Sequence, residues 1–252
     1  MTMTSTKNFW IAALFASSLI FGCDGDSKDP DPAAQSSTPL PTTPGDANAI
    51  LAAIKVKANT PGAVPIPGIE ILLDVASGNF FSGSGGTGSL VSVGDVSLND
   101  YKLTTVGANS YLNNPTDIML SLNVGQTNKW IIAGANGFAA INHTTAKKMP
   151  GIVSFTNLAE TISKSGNVTL TIQSVPANSD NLLWVISDGN KVVTKELRAN
   201  SVTFSSSELS DLKATSTGIV QVAAYNTEGK DFGGKKVYFI NETVDSKFVK
   251  IN

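Results

Sequence analysis

The sequence predicts an all-β chain of antiparallel sheets, and three observations carry that expectation. Short runs that alternate apolar and polar residues recur from residue 49 onward, the period of a half-buried strand. Clusters of Asn, Asp, Ser and Gly separate the runs at short spacing. The one good helical start is short: SSSELSDL at 205–212, a serine cap followed by Leu209 and Leu212 that reads as one turn plugging the end of a sandwich.

The second half carries the clearest pattern. NVTLTIQSV places Val168, Leu170 and Ile172 on one face and Thr169, Thr171 and Gln173 on the other. NLLWVIS, KVVTKEL, SVTFSS, GIVQVAAYN, KVYFIN and KFVKI follow, with turn clusters at 178–181, 188–190 and 233–234. Seven or so short strands with polar turns resemble an antiparallel immunoglobulin-like sandwich. In that resemblance Trp184 is the buried tryptophan of a central strand, and Tyr225 is a candidate for the corner tyrosine. The first half is β-rich and less regular. AILAAIKVKA, IEILLDVA, GSLVSVGDVSLN, YKLTTVG, DIMLSLNV and KWIIAGANGFAAIN are its candidate strands, with a hairpin through Asn99-Asp100. AILAAIKVKA reads equally as a short helix, because Ala and Lys favour one.

DIMLSLNVGQTNKWII and NVTLTIQSVPANSDNLLWVI both run strand, polar turn, then Trp and two apolar residues. Either the halves are related modules or the hairpins merely look alike. AKKMPG, residues 146–151, is the expected joint. The organisation read from the sequence is a signal peptide at 1–22, a modified cysteine and tether at 23–46, a β-rich module at 47–148 and an immunoglobulin-like module at 149–252. Halves sharing one core would instead make a single larger sandwich.

At the N-terminus, Lys7 precedes an uncharged, mostly apolar run from Phe9 to Gly22. This is the basic start and apolar centre of a secretory signal. At fourteen residues it falls short of the roughly 20 needed to cross a bilayer as a helix. Leu19-Ile20-Phe21-Gly22-Cys23 resembles a bacterial lipoprotein lipobox. The resemblance implies cleavage before Cys23 and acylation of its sulfur and new amino terminus. The thiolate is the strongest nucleophile in such a stretch, and several acyl chains together exceed the two-signal requirement for stable anchoring. Cys23 is the chain's one cysteine, so the ectodomain is expected to rely on its core without disulfides.

Residues 24–46 are Asp, Pro, Ser, Thr, Ala and Gly with few large apolar side chains. Such a segment cannot bury enough surface to offset its ordering entropy and is expected to be a disordered stalk. In polyproline form, at ~3.1 Å per residue, it reaches about 70 Å. DGDSKDPD lacks the ligand pattern of a calcium loop: Lys28 stands at its fifth position, Asp29 at the sixth and Gln35 at the twelfth. The acidic residues just after Cys23 resemble a surface-export signal of some Gram-negative bacteria, while Asp24 alone resembles an inner-membrane retention signal of others. Together they favour the outer membrane or cell surface.

Composition excludes other classes. Beyond residue 46 the chain has 16 Lys+Arg against 15 Asp+Glu, which offers no basic field to nucleic acid. Arg198 is the one arginine, which argues against phosphate clamps. GSGGTG at 83–88 matches G-x-G-x-x-G, but strand follows it rather than a helix, so it reads as a hairpin loop. His143 is the one histidine; no G-x-S-x-G elbow accompanies it, and NHTT reads as a polar surface loop. One histidine and no thiol after acylation leave zinc without its usual ligands. Asp180 and Asp188 suit either a calcium loop or ordinary turns, and turns are the commoner use.

No cofactor and no metal is expected. Trp130 and Trp184 read mainly as core; on an exposed sandwich face, Trp130 is the candidate for stacking on a sugar ring. The functional expectation is a non-enzymatic, lipid-anchored envelope protein that binds a glycan or an envelope protein or scaffolds machinery, held to the membrane through Cys23. The alternative is an envelope hydrolase acting on polysaccharide or peptide through a pair of carboxylates that spacing does not identify.

Overall fold

The structure is a computed structural model that describes residues 43–58, 71–114 and 119–252. The expected signal peptide, Cys23 and nearly all of the stalk lie outside the described residues. The body is nearly all β, with 51% strand and 2% helix. Its strands are β1 (Ala49–Ala58), β2 (Ile71–Phe80), β3 (Val96–Leu98), β4 (Tyr101–Lys102), β5 (Thr104–Val106), β6 (Ser110–Leu112), β7 (Lys129–Ile132), β8 (Ile141–Thr144), β9 (Thr161–Ile162), β10 (Val168–Thr171), β11 (Asn181–Ser187), β12 (Val192–Glu196), β13 (Ser201–Phe204), β14 (Thr215–Phe232) and β15 (Lys235–Ile251). The helix α1 (Ser206–Leu209) precedes β14.

One nine-stranded sheet runs β12-β11-β14-β15-β1-β2-β6-β5, with β9 added to the far end of β15. A four-stranded sheet, β4-β3-β7-β8, and a two-stranded sheet, β10-β13, complete the layers. The all-β expectation therefore holds. Pairing is antiparallel except where β1 and β9 run parallel to β15.

β14 and β15 organise the body. They are 18 and 17 residues long and pair along their whole length, from Thr215↔Ile251 to Phe232↔Lys235. Gly233 and Gly234 join them with φ of 56° and 79°. A two-residue turn of this kind needs positive φ at both positions, which glycine adopts without a steric cost. Both strands serve both halves of the chain. Val237 and Phe239 pack in a first core with Leu51, Phe80, Tyr111 and Trp130. Val249 and Ile251 pack in a second with Leu170, Trp184, Phe204 and Leu209. The sheet is thus continuous across residue 149.

The AILAAIKVKA segment is strand, not helix. It is buried on both faces: Ala49, Leu51 and Ala53 enter the first core, while Ile50, Ala52 and Ile54 join a third cluster on the opposite face of the large sheet. A strand buried on both sides carries no alternation, so its sequence does not separate it from a helix.

Local signals elsewhere are realised closely. The Asn99-Asp100 turn has φ of 48° and 66° and joins β3 to β4. Residues 83–88 form a loop closed by the Phe81↔Leu90 bridge. The helix α1 has a full capping box: Ser205 Oγ accepts from the Glu208 N–H, and the Glu208 carboxylate accepts from the Ser205 N–H. Leu209 and Leu212 are buried beneath it, as expected of a plug. The resemblance between halves does not extend to structure. Trp130 lies in the four-stranded sheet and Trp184 in the nine-stranded one, and β10 has no strand counterpart over residues 119–128.

Candidate functional site

Cys23, the expected lipid attachment, lies outside the described residues. Trp130 lies in the first core, as its main reading had it: the indole is 0% exposed and presents no face for the alternative of stacking on a ligand. β7 carries it inward because Trp130 and Ile132 share the face that packs under the large sheet, while Lys129 points out. Trp184 is equally buried, and its Nε1 donates to the Leu197 carbonyl at 3.0 Å, whereas the Trp130 Nε1 has no partner. Replacing each by Phe separates the two. Trp184→Phe is expected to cost about 1 kcal/mol more than Trp130→Phe, the worth of one hydrogen bond, read from urea midpoints. Equal losses would show that the indole hydrogen bond contributes nothing.

His143 is not on the surface. It lies on β8 at 9% exposure, its ring 4.6 Å from that of Phe239 and 5.8 Å from that of Phe232. Its Nε2 is 2.9 Å from Glu228 Oε1, and Glu228 Oε2 accepts from the Ala146 N–H. The pair ties β8 and the following loop to β14. Burial alternates along β8, with Ile141 and His143 inward and Asn142 and Thr144 exposed, which the NHTT motif alone did not reveal.

The aspartates weighed as calcium ligands make turns and pairs. The Asp188 carboxylate accepts from the N–H groups of Asn190, Lys191 and Lys213. Burial pushes its pKa up, but these three donors outweigh it and hold the group below the usual range. Asp180 pairs with Lys147 at 2.5 Å and accepts from the Thr227 N–H. Tyr225 is not a corner tyrosine bonded to backbone; its hydroxyl donates to the Glu196 carboxylate on β12. Among the described residues no group of three or more His, Cys, Asp or Glu gathers to hold a metal ion.

Two polar assemblies were not singled out by the sequence. The first is a seam between the two cores. Asn99 Nδ2 donates to Asn128 Oδ1 at 2.9 Å, Asn128 Nδ2 to Asn241 Oδ1 at 2.8 Å, and Asn241 Nδ2 to Asn226 Oδ1 at 3.1 Å. The segment expected as the joint crosses this seam, and the sheet bonds its backbone. Asn241 donates to the Lys147 carbonyl, Asn226 to that of Lys148, and Thr243 Oγ1 to that of Gly151. Further along, Asp245 Oδ2 accepts from the Phe155 N–H. An irregular segment packed on a sheet needs partners for its backbone groups, and the seam supplies them.

The second assembly is an open cleft of about 410 Å³ lined by Gly94, Asp95, Lys102, Leu103, Thr104, Thr105 and Tyr111. It forms where the chain leaves the four-stranded sheet at β4 and enters the nine-stranded sheet at β5. Asp95 and Lys102 form an exposed ion pair at 2.9 Å. The Tyr111 hydroxyl accepts from the Val93 N–H at 2.8 Å, which fixes the ring at the cleft floor. The walls combine hydroxyls, one carboxylate and one ammonium, groups that exchange hydrogen bonds with a polyhydroxylated ligand. Strand alternation in YKLTTVG placed none of these side chains, because the cleft depends on the switch between sheets.

The fold and these assemblies define an all-β, layered body with a hydroxyl-lined cleft. No family model, no curated protein and no solved structure matches the chain.

Proposed function

We propose that the protein is a lipid-anchored module of the bacterial cell envelope, of non-enzymatic binding or structural type. Cys23 at the end of an uncharged apolar run, after Lys7 and before an acidic, Pro-rich stretch, is the single observation that carries this reading. The polar cleft beside β5 supports a glycan as ligand, since Asp95, Lys102, Thr104 and Thr105 offer both donors and acceptors at the surface. The near balance of charge beyond residue 46 supports a neutral ligand over a polyanion.

Metabolic labelling with a fatty acid tests the anchor. The native protein is expected to incorporate the label and to stay with membranes through a high-salt wash. Cys23→Ala is expected to lose all incorporation. An unmodified N-terminus on the purified native protein would overturn the reading. A glycan array tests the ligand class, with Lys102→Ala expected to weaken any hit by roughly fivefold, about the worth of one hydrogen bond.

A further inference from the structure

We propose that the body is held by one end and shows the other: the first core sits toward the membrane, and the second core, with α1, is the outward end. This rests on the anchor reading above and adds the orientation that follows from the described chain.

The described chain starts at Thr43 and is fastened at once to the β14–β15 turn. Tyr238 Oη donates to Asp46 Oδ1 at 2.7 Å. The Asn48 N–H donates to the Lys236 carbonyl at 2.7 Å, and Asn48 Oδ1 accepts from the Lys236 N–H at 2.9 Å. Asn48 Nδ2 reaches the Gly83 carbonyl, and the Gly86 N–H donates to the Ala47 carbonyl. Any pull transmitted from Cys23 therefore arrives at the end of the body that holds Gly233, Gly234 and the 83–88 loop.

From that point β1 and β15 run parallel, Ala49 beside Val237 and Lys57 beside Asp245. Both lead away from the attachment. The 17 residues of β15 span roughly 50 Å at ~3.3 Å each. At the far end Ile251 pairs with Thr215, β9 joins β15, and the Asp188–Asn190 turn is fixed by the Lys213 N–H. The outward surface is thus made by the Gly189-Asn190 turn, α1 and Lys213.

The lipidated full chain in phosphatidylcholine–phosphatidylglycerol vesicles with a lipid-bound acceptor dye tests this. Acylated Cys23 does not react with maleimide, so Lys230→Cys and Asn190→Cys each give one labelling site, near and far respectively. Energy transfer from the near site is expected to exceed that from the far site, because a flexible stalk still leaves the attached end closer to the lipid on average than an end on the order of 50 Å away. Equal or reversed transfer would overturn the orientation while leaving the anchor intact. A native chain that floats free of vesicles, with Cys23 itself reactive, would remove the anchor and the orientation with it.

Discussion

Glu242→Gln is expected to raise the stability of the body at pH 9 by about 4–5 kcal/mol and to leave it nearly unchanged at pH 4. Glu242 lies at the middle of β15 on the face opposite the two cores, 0% exposed. Ile54 of β1 and Tyr225 of β14 flank it in register, and Ile240 and Val244 flank it along the strand. Among the described residues, the titratable groups of this cluster include Tyr225, bonded through its hydroxyl to Glu196 of β12, and Tyr238, bonded to Asp46. Neither oxygen of Glu242 has a hydrogen-bond partner. Burial alone pushes its pKa up to about 8, because an ionised carboxylate is costly in apolar surroundings. An unfolded glutamate ionises near pH 4.5. Between about pH 4.5 and 8 the folded chain therefore holds one proton more than the unfolded chain, and stability falls as pH rises. Below this window the group is neutral in both states and carries no ionisation penalty; above it the full penalty stands. Glutamine keeps the shape without the charge and removes the slope. Urea midpoints of both proteins at pH 4 and pH 9 read the effect. A variant with the same pH slope as the parent would show that Glu242 is ionised without penalty in the folded body.

Asn241→Leu is expected to cost about 3–5 kcal/mol, although leucine has the same number and branching of side-chain heavy atoms. The substitution leaves the Asn128 Nδ2, the Asn226 Oδ1 and the Lys147 carbonyl without their partner. Asn128 and Asn226 are each 1% exposed, so water does not replace the lost bonds. A buried group left unmatched costs ~1–3 kcal/mol, and the losses of one network do not simply add. Thr169→Ala, which breaks the exposed Thr169–Thr203 hydroxyl contact on β10 and β13, is the control and is expected to cost under about 1 kcal/mol. If the two variants denature at the same urea concentration, the seam is not a structural joint.

These two positions also show where the sequence was silent. KVYFIN and KFVKI read as separate strands because Asn241, Glu242, Thr243 and Asp245 break the apolar pattern between them. In the structure they are one strand. The interruption is buried on both faces, where Asn241 and Thr243 bond the crossing segment and Glu242 stays in an apolar cluster. A polar residue inside a strand reads as a turn unless its partners are known, and two of those of Asn241 lie 113 and 94 residues away. The cleft was invisible for a similar reason: Asp95 and Lys102 meet across the β3–β4 hairpin, but its walls come from two different sheets. Trp130 left two readings open, core and stacking platform, since aromatic type alone does not say which face of a strand is covered; its burial decides for core.

Properties that depend on neighbours in the chain were set by the sequence alone: the all-β class, the Asn-Asp and Gly-Gly turns, the Ser205 cap with its buried leucines, and the apolar run ending at Cys23. Side-chain alternation and backbone preference act within a few residues, so a linear pattern suffices to state them. The tertiary structure decided what those strands share. It joined both halves through β14 and β15, buried His143 and Trp130, and matched the seam asparagines to backbone groups of a crossing segment. Such choices depend on which surfaces meet when distant strands pair, and no local run of residues contains that geometry.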